Sequence, residues 1–545
     1  MVKPNYLRGA TILAAAALIV KIIGAIYRIP LGRILGNEGI AFFGVAHSIY
    51  LFILTITVAG LPIALSKMIS AAHAQNRTRQ VKRIFSVVLC TFFVVGLFGA
   101  LTTALFSDTL ASWMNSPNAR ESIFALSPAI LFVCLMAAYR GYAQGLSNMI
   151  PTSISQVIEA VLRFGFGLSF AWFFMYRNYP LSTAASGAVW GTAISTLVGF
   201  SFLLAYKKRL DKSILTDPTQ DTIAPDRKCD IVKTLFRMGI PITIGASILS
   251  LTQLVSTFLI MSRLQHGLGF SNEFASFLFG AYFKVQTLFN LPSAFIVPLT
   301  VSLIPAIVSC LSTKNDALAL DQAESGLKVA NILSLAAGVG LMALAAPIIN
   351  VIYPDAGDEA VLLMFIMGAA SYFLCLLMMS NALLQAYGLE KYTIISMVIG
   401  GIAKVVLDWI LLGIPGVHIY GAAVSTLVSF LLICASNFYF VRHKIKHPPR
   451  FLPAFVKPML CATVMGMIAF VVYFGFMHIS NGRMSITVLG LSPEYISMAL
   501  SLLAAVLLAF IAYIALIVKT GTLQYTDLKM LPKGETLARL LRVKQ

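Results

Sequence analysis

The sequence predicts an all-α integral membrane protein of about fourteen transmembrane helices, built as two six-helix lobes in a parallel pseudo-twofold repeat plus two C-terminal helices. Three observations carry this. The chain is 59% hydrophobic and only 11% charged, with mean hydropathy +0.87, whereas soluble domains carry about 25% charged residues. Its apolar stretches, such as Gly9–Ile29, Ile84–Phe106 and Tyr495–Val518, are long enough to cross the hydrocarbon core as helices. They lack the two-residue alternation of a membrane β-barrel. Finally, the two halves share an order of residues.

The expected spans are 9–31, 41–66, 84–106, 122–146, 151–176, 183–206, 234–262, 275–310, 326–352, 359–387, 392–413, 418–441, 453–477 and 494–518. The first follows Lys3 and Arg8, runs about twenty residues and has no A-x-A cleavage site after it, so it reads as a retained helix rather than a cleaved signal. Pro292, Pro298 and Pro305 interrupt the eighth, and proline inside a helix removes a backbone donor, so a kink is expected there. The seven cysteines are scattered without CxxC or CxxH spacing, which excludes the patterns of a disulfide framework or a zinc site.

The net charge of +19 reads as topology, not nucleic-acid binding, because the cations lie in loops. Cytoplasmic loops of membrane proteins are enriched in Lys and Arg. With a cytoplasmic N-terminus, the same side receives Arg77, Arg79, Lys82 and Arg83, then Lys207, Lys208, Arg209, Arg227, Lys228 and Lys233. Arg442, Lys444, Lys446, Arg450 and Lys457 follow, and the tail ends with Arg539, Arg542 and Lys544. The opposite loops hold isolated cations such as Arg120, Arg177, Arg263 and Arg483, and one is acidic through Asp355, Asp358 and Glu359. Both termini are therefore expected in the cytoplasm.

Gln144–Arg163 aligns without a gap to Gln385–Lys404, so that Gln144 meets Gln385, Thr152 meets Thr393, Ser155 meets Ser396 and Arg163 meets Lys404. Trp190–Phe200, WGTAISTLVGF, aligns to Tyr420–Phe430, YGAAVSTLVSF. Each repeat holds six spans, and an even number returns the chain to its starting side, so the halves run parallel. Parallel repeats are one plan of secondary transporters, with the cargo site at the repeat interface. The expected organisation is an N-lobe at 1–206, a basic cytoplasmic linker at 207–233, a C-lobe at 234–441, and two further spans with a cytoplasmic tail at 442–545.

Five cations fall within spans: Lys21, Arg28, Arg163, Lys284 and Lys404. Insertion scales charge about 2.5–3.5 kcal/mol for such a residue at a helix centre, and those that persist face a bundle interior or an aqueous pathway. Lys21 and Arg28 are seven residues apart and share a helix face. Lys284 precedes the prolines of the eighth span, and Lys67 ends the second, either as an ordinary cytoplasmic anchor or at the inner mouth of a cavity. Arg163 has Glu159 one turn before it and Lys404 has Asp408 one turn after it, so both are i,i+4 ion pairs. These pairs are either local neutralisation or elements that exchange partners during transport, with Glu159 and Asp408 as candidates for coupling to Na+ or H+. His47, in the second span, reads as a core histidine. No G-x-x-x-x-G-K-[ST] or HExxH motif is present, so neither a resident ATPase nor a metalloprotease is expected, and no catalytic residue, metal ligand or cofactor is assigned. Transport driven by an ion gradient or the membrane potential remains.

KIIGAIYRIPLGRILGNEG at Lys21–Gly39, GLPIALSKMIS at Gly60–Ser70 and YFKVQTLFNLPSAFIVPLTVSLIPAIVS at Tyr282–Ser309 resemble the polysaccharide transport family. Within it they are similar to the SpoVB/YtgP-type proteins, relatives of the MurJ lipid II flippases. The resemblance implies the V-shaped fold of the multidrug/oligosaccharidyl-lipid/polysaccharide superfamily, and a cargo of undecaprenyl-pyrophosphate-linked peptidoglycan precursor carried to the outer leaflet. It also implies cargo contacts from cations on the first, second and eighth helices, which map to Lys21 and Arg28, to Lys67 and to Lys284. Three of these four are lysine, a point charge without the bidentate fork of arginine.

The function expected is therefore a lipid II flippase working by alternating access through a cationic central cavity, in the bacterial cytoplasmic membrane. Its partners would be the lipid-linked pyrophosphate, the bilayer and proteins of cell-wall synthesis or division. The alternatives are a flippase for another lipid-linked polysaccharide, teichoic or spore-envelope precursor, and a cation-coupled multidrug antiporter. Intramembrane cations outnumber acids, which weighs against the antiporter.

Overall fold

The computed structural model describes residues 4–214, 224–445, 448–449, 452–480 and 492–522. Lys446, Arg450, Arg483, Arg539, Arg542 and Lys544 lie outside them, as does 215–223 of the expected linker. Among the described residues there are helices and no strands. In order they are α1 (Pro4–Val58), α2 (Leu61–Ala74), α3 (Thr78–Leu105), α4 (Ser107–Trp113), α5 (Arg120–Gly145), α6 (Ile150–Tyr176) and α7 (Leu181–Ile214). Then come α8 (Lys228–Ser262), α9 (Asn272–Phe289), α10 (Ser293–Ser312), α11 (Asp316–Ala343), α12 (Ala345–Ile352) and α13 (Glu359–Ala386). The last four are α14 (Glu390–Leu411), α15 (Tyr420–Lys444), α16 (Leu452–Ser480) and α17 (Pro493–Lys519).

Among the described residues, thirteen helical stretches are long and apolar enough to span a membrane, and the first, Ala15–Ala74, holds 60 residues. At 1.5 Å per residue that stretch would extend about 90 Å if straight, about three times the hydrocarbon thickness. It therefore serves as two of the expected spans, which restores the count of fourteen. The break lies at Gly36, whose backbone sits at φ 63°, ψ −166°. That region is essentially closed to residues with a Cβ. The eighth expected span is also broken, at Asn290–Pro292 between α9 and α10. Pro298 and Pro305 remain inside α10, so only the first of the three prolines marks an end.

The helix ends follow local chemistry. Asn315 caps α11, its side chain accepting from the Leu318 amide at 3.1 Å. Ser492 does the same for α17 at 3.3 Å to Tyr495, with Pro493 in the first turn. Side-chain caps of this kind satisfy amides that the helix itself leaves without partners.

The chain divides into two compact units, Met1–Phe283 and Lys284–Gln545, with the boundary inside α9. In the first unit, α1 packs on α5, α6, α7 and α8, and α5, α6 and α7 pack on one another. Its core joins Leu65, Ile69, Val88, Phe92, Tyr142 and Leu235. In the second unit, α14 and α15 pair, α13 packs on α10, α11 and α15, and α16 and α17 pack together and against α11. The interface of these last three helices is tied by Tyr513, whose hydroxyl donates to the Ile332 carbonyl at 2.8 Å.

Candidate functional site

The break at Gly36 makes α1 a two-limbed element. Arg28 sits on the first limb and His47 on the second. A continuous helix would hold residues so spaced about 28 Å apart along its axis. Here an Arg28 Nη2 lies 2.6 Å from His47 Nε2. Arginine only donates, so His47 accepts through Nε2, and its ring proton resides on Nδ1. The imidazole stacks on Phe43, one turn earlier, with ring centroids 5.8 Å apart, and meets the Phe283 ring of α9 edge-on at 6.2 Å. The Arg28 guanidinium lies 5.3 Å from the same Phe283 centroid, within cation–π range.

A second group of charges adjoins the first. On α6, Arg163 donates to Glu159 Oε1, one turn earlier. Glu159 Oε2 accepts from an Arg140 Nη2 of α5 at 3.2 Å, and Arg140 Nε donates to Ser155 Oγ at 3.0 Å. The carboxylate is thus shared by two guanidiniums. Helix α6 packs on α1, with Gly167, one turn after Arg163, against the Tyr27 hydroxyl, so both groups lie on adjoining helices of the first unit. Two guanidiniums share one carboxylate there, and that trio carries a net charge of plus one. The Arg163 side chain keeps 29% of its surface accessible, and Arg140 and Glu159 keep 15% and 13%.

The other expected site residues are placed differently. Lys21, two turns before Arg28, is exposed, and so is Lys67 on α2. Lys284 is buried, with Nζ 2.9 Å from Asp355 Oδ2 and 5.3 Å from the centroid of the Tyr353 ring. Its acid therefore comes from the loop after α12, 71 residues along the chain. Lys404 and Asp408 are both buried and pair at 3.2 Å. Lys404 also donates to Ser425 Oγ at 3.4 Å and Thr426 Oγ1 at 3.0 Å on α15, and Ser425 donates to the free edge of Asp408. Every charge in that network has oxygen or ammonium partners.

Of the expected residues, the first unit thus pairs Glu159 with Arg163 and places Arg28 on the helix packed beside them. Two members of the cluster, Arg140 and His47, were not expected there. Arg140 lies four residues before Gln144, just upstream of the repeat match, where the other half has Asn381. Extending the alignment by one turn exposes it as a cation with a neutral counterpart. His47 shows no sequence signal beyond a polar ring one turn after Phe43. Among the described residues, no three His, Cys, Asp or Glu side chains converge as a metal site would require.

This arrangement can bind an anion. Guanidinium groups offer planar, paired donors suited to phosphate oxygens, and a carboxylate shared between two of them can give up one partner without being left unpaired.

Comparison with known proteins places this fold. The chain is 25% identical to the membrane protein YabM of Bacillus subtilis (strain 168), across 98% of its own length and 96% of that protein. It is 26% identical to the Stage V sporulation protein B of the same organism, over 79% of this chain and 83% of the relative. With the Bacillus subtilis Lipid II flippase MurJ the identity is 25%, over 79% and 81%. Among solved structures, Lipid II flippase MurJ in an inward closed conformation superposes with TM-score 0.65 at 15% identity, covering 93% of this chain and 98% of that one. An inward-facing multidrug resistance MATE family transporter of the MOP superfamily gives 0.60 at 17% identity, covering 78% and 93%. The all-helical, multi-pass architecture is therefore the fold shared by MurJ and the MATE transporters. Residues 6–311, more than half of the chain, match the pattern of one sequence family. The chain is a multi-pass membrane protein that belongs to the polysaccharide biosynthesis protein family.

Proposed function

We propose that this protein is a flippase for a lipid-linked, pyrophosphate-bearing cell-wall precursor, with lipid II as the leading cargo. The observation that carries the reading is the pair of guanidiniums, Arg140 and Arg163, on the carboxylate of Glu159, with the Arg28 guanidinium on the adjoining helix α1. Cations kept inside spanning helices mark a pathway, and an excess of guanidinium selects an anion. A multidrug cation would require the reverse balance. The named relatives include a Lipid II flippase and a sporulation protein, which supports a cell-envelope precursor and leaves the spore-envelope cargo as the alternative.

In this reading the head group enters from the cytoplasm, with both termini on that side, and its polyprenyl tail stays in lipid. The pyrophosphate engages Arg28 and takes Arg163 from Glu159, which Arg140 continues to hold. Alternating access then presents the head group outside. An inside-negative potential favours anion exit by about 2.3 kcal/mol per charge per 100 mV, so the membrane potential is a sufficient drive. Na+ or H+ coupling through Glu159 or Asp408 is the other possibility the charge pattern offers.

The test is a lipid II accessibility assay in cells depleted of their own lipid II flippases. Wild-type protein should expose lipid II outside and restore growth. Arg28→Gln and Arg163→Gln, at normal protein levels, should not. Full activity of both variants would sink the reading. Wild-type protein that fails to restore growth, while a labelled spore or teichoic precursor crosses, would move the cargo to the alternative.

A further inference from the structure

His47 meets the Arg28 guanidinium across the bend of α1. Its ring has little freedom. Phe43 stacks on it with planes 11° apart, and Phe283 closes one edge at 81°. Tyr50, on the same limb of α1, stands 6.3 Å away, centroid to centroid. With the ring held by three aromatics, Nε2 becomes a fixed lone pair, and it points at Arg28. The neighbourhood also fixes which form of histidine is present. An imidazolium would present an N–H to the guanidinium that now donates to it. The neutral Nδ1–H tautomer is the form that fits. Arginine binds phosphate through a planar fork, so a change in the roll of that plane changes which oxygens it can reach.

We propose that His47 is the positioning residue of the anion site: its neutral imidazole sets the plane of the Arg28 guanidinium for the incoming phosphate. This rests on the anion reading above. It also separates His47 from its aromatic neighbours, whose contribution is packing.

The experiment uses the full-length protein purified in detergent, with inorganic pyrophosphate as the probe and the rise in thermal midpoint as the readout. A ligand that binds only the native state stabilises it by RT ln(1 + L/Kd), where L is the ligand concentration, so the midpoint rises with the ratio of L to Kd. Four proteins are compared with wild type: Arg28→Gln, His47→Leu, His47→Gln and the Arg28→Gln/His47→Leu double variant. Wild type should respond. Arg28→Gln should lose the response. His47→Leu should need about tenfold more pyrophosphate for the same rise, the scale of one hydrogen bond to a charged group. His47→Gln, whose side-chain oxygen can accept from Arg28, should stay within about twofold of wild type. The double variant should be no worse than Arg28→Gln alone, because residues acting as one unit are not additive. Independent, additive losses, or a His47→Gln as poor as His47→Leu, would overturn the positioning role and leave the anion site standing. A wild-type protein indifferent to pyrophosphate would overturn both.

Discussion

Arg163 on α6 and Lys404 on α14 occupy the same position in the two repeats, yet they live in different chemistry. Arg163 shares a partly accessible carboxylate with Arg140. Lys404 is sealed with Asp408 under the hydroxyls of Ser425 and Thr426. The alignment that pairs Arg163 with Lys404 pairs Glu159 with Gly400, Gly167 with Asp408 and Arg140 with Asn381. The acid has changed sides of the cation, and glycine fills each vacated place. Both glycines are used for packing. A Cβ at Gly400 would stand 2.2 Å from Ile433 Cγ1, and one at Gly167 would stand 2.6 Å from Tyr27 Oη. In the second half the glycine lets α15 close over the pair, and Ser429 donates to the Gly400 carbonyl at 2.8 Å. In the first half the carboxylate is on the other side, next to α5 and a second arginine. The counts of charge differ accordingly: Arg140, Glu159 and Arg163 sum to plus one, while Asn381, Lys404 and Asp408 sum to zero. On the function proposed above, one repeat position serves the ligand and the other is a structural pair.

The contrast can be broken at several points. The largest expected effect is Lys404→Met, which leaves Asp408 as an uncompensated buried charge and should cost about 3–5 kcal/mol. Unfolding of the purified protein in detergent would read it, and adding Asp408→Leu should return most of the loss. Asp355→Asn comes next, because it strands the buried Lys284 and should cost about 1.5–3 kcal/mol. Lys284→Met should cost less, since the Asp355 side chain is 44% exposed and water can solvate it. Gly400→Ala follows, at about 1–3 kcal/mol from overpacking against Ile433, with partial relief by Ile433→Ala. The smallest effect on stability is expected of Arg163→Met, about 1 kcal/mol or less, because Glu159 keeps Arg140. That same variant should lose transport at least about tenfold, the scale of one charged hydrogen bond. Equal destabilisation by Lys404→Met and Arg163→Met would erase the comparison.

Much of the architecture was legible in the chain because spanning a membrane is a one-dimensional requirement. Length and hydropathy alone locate Ile84–Phe106 or Tyr495–Val518, and the i,i+4 spacing alone pairs Arg163 with Glu159. The rest depended on approach between distant segments. Nothing near Lys284 announces Asp355, and nothing near Arg28 announces His47. Arg140 fell between the two modes of reading: it sits at the end of an apolar span, where a cation looks like an anchor, and only its neighbour on α6 reveals its part in the cluster. The bend that joins Arg28 to His47 rests on a single glycine, which a hydropathy profile cannot distinguish from any other.

That glycine also orders events during synthesis. Arg28 precedes Gly36 and His47 follows it, with nineteen residues separating the two partners. A chain growing at about 5–20 residues per second needs about 1–4 s to cover that distance. For that interval the nascent first span carries its guanidinium without the imidazole and without the Phe283 ring, which arrives later still. Biogenesis therefore begins with a cation whose mature surroundings do not yet exist. Residues that slow the hairpin from closing, such as alanine at Gly36, should reveal themselves first as a failure of membrane insertion, before any measure of transport is reached.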